Sequence, residues 1–166
     1  MIKKILFFTA CMLLALAYFY SHASKQAIDS EAVMHNIMAY PMTDIIARCK
    51  KDHKYTDEDM IILEKELKRY LSLSGVKTKG DVGMGMYSKH VDNLWHTFIL
   101  FTHEYAEFCN KYFGHFIHHM PKTDMQKSPE KVQEARADFQ AFVKNYQKVF
   151  KEEIHPIWLL DMCEDI

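Results

Sequence analysis

The sequence holds no surplus of either charge. Its 21 basic residues face 22 acidic ones for a formal charge of −1, and no block of like charges runs along the chain. A protein that grips a phosphate backbone over a broad face needs a basic excess, so nucleic acid is not an expected partner. Cysteine is scarce as well, with four residues at positions 11, 49, 109 and 163. Without the N-terminal segment three remain, an odd number that permits at most one disulfide and no framework of bridges. No stretch alternates apolar and polar residues with period two for long enough to make a sheet, and no internal repeat or low-complexity segment is visible. Several reaction signatures are missing too: H-E-x-x-H, a C-x-x-C pair, G-x-S-x-G and a phosphate-cradling glycine motif. The sequence therefore names no reaction.

What is present begins with length. A chain of 166 residues suits one domain with a single core and is short for two. Its 13% aromatic content and eleven methionines point to a packed, aromatic-rich interior, which must hold the fold without disulfide staples.

The N-terminus differs from the rest. "MIKK" is a short basic start, an uninterrupted apolar run follows from Ile5 to Tyr20, and Ser21 and Ala23 are small. That is the layout of an export signal. The run is shorter than the roughly 20 residues of a typical span, but extending it to Ala23 makes an uncleaved anchor available. Residues 1–23 are therefore expected to be a signal peptide or a transmembrane signal anchor, with residues 24–166 as the folded domain. Lys3 and Lys4 ahead of the run place the start in the cytoplasm and the domain outside. The domain would then be membrane-attached through residues 5–23, facing the periplasm or exterior, or secreted if cleaved. Cys11 is not a lipoprotein site, because the apolar run continues past it.

Behind that segment the chain reads as helices, so the expected fold is all-α. "DSEAVMHNIMAY" has apolar residues at helical spacing and stops before Pro41, and "TDIIARCKK" restarts with Thr43 as its cap. "YTDEDMIILEKELKRYLSLSG" offers Thr56 as N-cap, three acids in its first turn and Gly75 just past its end. Gly80, Gly83 and Gly85 mark a loop, whose Met84 and Met86 are gap-filling residues before they are a Cu(I) donor pair. Ser88 then caps a long helix that runs to Gly114, and Ser128 with Pro129 opens a last one. The tail "EIHPIWLLDMC" is apolar and is expected to pack as a short helix or strap.

Six of the ten histidines fall between His90 and His119. On a wheel of about 100° per residue, Val91, Leu94, Trp95, Phe98, Phe101, Tyr105 and Cys109 cover one broad side, which is the expected core. Asp92, His96, His103 and Asn110 fall in a stripe at its border. Asp92 and His96, four apart, stand one turn above each other and can share an ion or bond to one another. His103 lies about 10 Å along the axis from His96, too far for easy sharing of one ion. Cys109, on the buried side, reads as an inert packed thiol.

The run "VDNLWHTFILFTHEYAEFC", followed by "FGHFIHHMP", with "YPMTDIIARC" and "ELKRYL" upstream, resembles the glycine-rich-domain-containing-protein-like family. The matching positions are Val91, Asp92, Trp95, His96, Ile99, Leu100, Thr102, Tyr105, Phe108, Cys109, Phe113, Gly114, His118, His119 and Pro121. The resemblance implies a helical domain and a shared site, and carries no biochemical activity. Plant members of that family are associated with stress and development, sometimes beside an RNA-binding module. This chain lacks the glycine-rich region and that module and adds an export segment, so those roles do not transfer.

His118 and His119 sit four and five residues past Gly114 and just before Pro121, where the chain can fold back over the stripe. Neutral imidazole is the commonest metal donor. Asp92, His96, His118 and His119 are accordingly the expected metal site, and two or three imidazoles with one carboxylate suit zinc or non-haem iron. The chain is then a metal-binding protein, a hydrolase or an oxygen-dependent enzyme among the options. The alternative is a noncatalytic interaction domain in which the same residues form a stabilising hydrogen-bond network. No particular protein partner is indicated.

Overall fold

A computed structural model describes residues 31–75, 85–119 and 129–159, and every regular element longer than one turn among them is an α-helix. Residues Ile37–Ile166 form one compact unit. Of the other unit, Met1–Asn36, residues 31–36 are described and are helical. The described part of α1 is residues 31–38, followed by α2 (Thr43–His53), α3 (Asp57–Gly75), α4 (Lys89–Leu100), α5 (Thr102–Phe113) and α6 (Pro129–Phe150). A single 3-10 turn, Pro156–Trp158, closes the described chain.

The helix starts show how local chemistry divides the chain. Thr56 Oγ1 accepts from the Asp59 N–H at 3.1 Å while the Asp59 carboxylate accepts from the Thr56 N–H at 2.9 Å. This reciprocal pair satisfies two backbone donors at the start of α3. Ser88 caps α4 by accepting from the Val91 N–H at 3.4 Å. The expected cap at Thr43 is displaced: Met42 holds that position without a side-chain hydrogen bond, and Thr43 is already helical. Lys54, at φ 61, ends α2 in the left-handed region, where its N–H reaches the Lys50 carbonyl at 2.9 Å.

α4 packs on α2 and α3. Its Val91, Leu94, Trp95 and Phe98 are buried, as the wheel assigns them, together with Ile45 and Cys49 of α2 and Leu63, Leu67, Tyr70 and Leu71 of α3. Tyr70 lies 5.3 Å from Trp95 and 5.9 Å from Trp158, ring centre to ring centre. The Trp158 ring in turn meets Phe142 of α6 at 4.9 Å. Trp158 is fully buried, so the described part of the apolar tail, up to Leu159, packs as a short turn on the core.

Two features were not visible in the pattern. Gly75 is the last residue of α3 rather than the one past it, and a Cβ there would stand 2.2 Å from the Phe113 ring. The missing side chain lets α5 approach. The second feature is a buried charge cluster. Glu66, 1% exposed, accepts from Trp158 Nε1 at 2.7 Å and from the Tyr146 hydroxyl at 3.0 Å. Tyr146 accepts from Arg69, which lies 3.5 Å from Glu66 and donates to Glu152 at 2.8 Å. Burial pushes the Tyr146 phenol up to about 12, so it stays a donor. A buried carboxylate needs such partners, since an unpaired one would be costly to desolvate.

Two expectations are corrected. The long helix from Ser88 to Gly114 is two helices, broken at Phe101, whose ψ of 66° leaves the helical region. The break lies in the run from Thr97 to Thr102, where aromatic and β-branched residues are middling helix formers. Thr97 also bonds back to the Asn93 carbonyl at 2.9 Å, a contact that bends helices. A single wheel drawn through residue 101 therefore misplaces Phe101, which is only half-buried, although Tyr105 and Cys109 beyond the break are buried as the wheel assigns them. No helix among the described residues is long and apolar enough to cross a membrane, and the expected transmembrane segment is not among those residues. The apolar run to which that expectation was attached, within residues 1–23, lies outside the described residues, as do Met84, Pro121, Ser128 and Cys163. The second correction, of family, follows the site below.

Trp95 is 3% exposed at the centre of this packing. Trp95→Ala is expected to lower stability by about 3 to 5 kcal/mol, the usual result of emptying a buried aromatic site. A loss under about 1 kcal/mol in a denaturant titration would contradict its place in the core.

Candidate metal centre

Asp92 and His96 project from α4 at the edge of its buried side. Asp92 lies in the first turn, where the helix N-terminus favours a carboxylate. The His96 Nε2 atom is 3.7 Å from Asp92 Oδ2, and the two side chains keep 50% and 25% of their exposure. Gly114, at φ 69, ends α5 in a left-handed turn that sends the chain back. Residues 115–118 have no regular structure and lead His119 onto α4. There His119 Nε2 donates to Asp92 Oδ1 at 2.6 Å, with only 8% of the imidazole exposed. The His119 ring lies 4.5 Å from that of His96 and tilts edgewise to Trp95 at 4.4 Å.

One donor atom from each of Asp92, His96 and His119 lies within 4.8 Å of the others. The structure thus brings together three of the four expected residues. His118 is not among them: it is exposed, with its ring 5.0 Å from that of Phe116. His103 is also apart, highly exposed and 3.7 Å from Glu107 on α5. The remaining histidines of the cluster have their own partners. His115 Nδ1 meets the Phe113 carbonyl at 2.9 Å. His90 Nδ1 meets the Tyr55 hydroxyl at 2.9 Å, and that hydroxyl accepts from Asn93 at 2.9 Å. Sequence reasoning missed this second pairing, because Tyr55 lies in the turn before α3, far from the motif in the chain.

Chemically, the set is one carboxylate and two imidazoles. Metal–ligand bonds of about 2.0 to 2.2 Å around one ion would separate the donors by roughly 3.3 Å in a tetrahedral arrangement. The 2.6 Å contact would open and the 3.7 Å contact would close slightly. A proton now bridges His119 and Asp92, so the ion would take its place and affinity must fall as pH is lowered. The cysteines of the core do not join the set. Cys49 and Cys109 are buried, and burial pushes both thiols up, away from the thiolate form that binds metals.

A family model described as UCP032817-like matches residues 17–159. This finding overturns the assignment to the glycine-rich-domain-containing-protein-like family. That assignment rested on about half the chain, and much of its motif is the aromatic spacing of a buried helix, which any such helix requires. No curated protein and no solved structure matches the chain.

The contact between α4 and the returning segment is measurable without any ion. In chelator-treated protein, Asp92→Asn and His119→Ala are each expected to cost about 1 to 3 kcal/mol, the range for a partly buried bond to a charged group. The double variant should lose less than the sum, by at least about 0.5 kcal/mol. Strict additivity in chemical denaturation would show that the pair does not form.

Proposed function

The chain belongs to the UCP032817-like family, and we propose from its site that it binds one divalent transition metal, zinc or iron, through Asp92, His96 and His119. The observation that carries this reading is the convergence of three donors from two distant parts of the chain within 4.8 Å. Two imidazoles and one carboxylate satisfy zinc in catalytic sites and non-haem iron in oxygen-dependent ones, and both leave a position for water or substrate. The half-exposure of His96 supports a solvent-facing open position. His118, the fourth residue expected from the sequence, has no part in the set.

A second reading has its own observation. The His119–Asp92 bond at 2.6 Å ties α4 to the segment after α5. In that reading the histidines are a stabilising network in a noncatalytic interaction domain.

The readings part on metal content. The purified chain, never exposed to chelator, is expected to carry close to one equivalent of transition metal. Replacing Asp92, His96 or His119 should release it, whereas His103→Ala and His118→Ala should not. Free zinc at about a hundred times its Kd should add roughly 2.7 kcal/mol to stability, a rise of several degrees in Tm. Less than about a tenth of an equivalent, with Tm indifferent to zinc, iron and copper, would leave the network reading standing.

A further inference from the structure

His119 is the one member of the triad that α4 does not carry, and it stands at the end of an irregular segment. A free segment of that kind would spread its imidazole over many positions, and the third donor would be present at the site only part of the time. One residue of the segment, Ile117, is held by its backbone carbonyl. The Tyr105 hydroxyl donates to the Ile117 carbonyl at 2.8 Å and accepts from Trp95 Nε1 at 3.0 Å. The Ile117 backbone N–H also favours the Cys109 thiolate, against the rise that burial causes. Tyr105 and Cys109 are one turn apart on α5, at 0% and 1% exposure, so a single helix face offers a donor and an acceptor to one residue of the chain beside it. Two residues further on is His119, whose ring rests on the same Trp95 that donates to Tyr105.

We propose that Tyr105, assisted by Cys109, is a positioning residue for the metal centre: it fixes Ile117 so that His119 meets Asp92 and His96, and so sets the affinity of the site for its ion. The proposal rests on the metal reading above and deepens it. Neither side chain is placed to touch the ion; both act through the backbone that carries His119. The hydroxyl gives one hydrogen bond and takes another, so Tyr105→Phe would leave a partly buried carbonyl and a buried indole N–H without this partner. The cheapest relief is for the segment to move outward to water, taking His119 with it.

Cobalt(II) is the probe, since its visible spectrum reports the donors and their geometry independently of stability. The full chain is titrated with Co(II), and affinity is measured by competition with a chelator. Tyr105→Phe is expected to weaken binding by about tenfold or more, the scale on which residues supporting metal ligands act. Its spectrum should change as an imidazole gives way to water. Cys109→Ala should shift both in the same direction, and Cys109→Ser, which keeps an acceptor, should recover most of the loss. Phe108→Leu, a purely packing change on α5, should lower Tm and leave affinity within about twofold. Unchanged affinity and spectrum in Tyr105→Phe would overturn the proposal. Should that variant not fold, the two Cys109 variants decide, and equal affinities overturn it. A wild-type chain that binds no cobalt removes the metal reading itself, a result distinct from a wild-type chain that binds cobalt with no help from Tyr105.

Discussion

The buried Trp95 indole packs against Tyr70 of α3 and the His119 ring, and gives its N–H to Tyr105 of α5. Helix core and histidine site meet at this residue. Its burial sets the rotation of α4, and that rotation leaves Asp92 and His96 at the border where a polar side chain can reach both water and a neighbour. The same indole presents the edge of the surface on which His119 packs. A change in the seat of Trp95 is therefore a change in all three donors at once. Stability and site geometry are coupled through close packing rather than through a separate scaffold.

The buried side of α4 was legible because helical spacing of apolar residues has one physical outcome, burial of the stripe. Asp92 and His96 were legible for the same reason: a spacing of four puts them one turn apart whatever the rest of the fold does. His119 was legible only as one of an adjacent pair, since choosing between His118 and His119 depends on how an irregular segment turns. The break at Phe101 was not legible, because middling propensities over a few residues are settled by tertiary packing. Nor was the ion pair of Glu66 and Arg69, which look like the outer face of α3 until Trp158 and Tyr146 arrive from much later in the chain. Long-range partners leave little trace in local pattern. The family assignment failed on similar grounds, since a short motif shaped by core packing is weaker support than a match over most of the chain.

The clusters around Glu66 and Asp92 contrast in a way that bears on function. The carboxylate of Glu66 is sealed, with donors from Tyr146 and Trp158 and with Arg69 beside it. It fastens α6 and the C-terminal turn to α3. The carboxylate of Asp92 is partly open and is shared between two imidazoles, one buried and one half in solvent. A sealed carboxylate contributes to the uniqueness of a fold, whereas an open one with imidazole neighbours retains lone pairs that an ion can use. The neighbouring His90, tied to Tyr55, belongs with the first kind, since its partners already fix it between α4 and the turn before α3.

The central claim is that one ion is held by a carboxylate and two imidazoles drawn from α4 and from the segment after α5. X-ray absorption on the zinc-loaded chain reads that donor set directly. The account predicts nitrogen and oxygen bonded to zinc at about 2.0 to 2.1 Å, the multiple-scattering pattern of two imidazoles and no sulfur. A sulfur shell near 2.3 Å, or an oxygen-only shell without imidazole scattering, would contradict it.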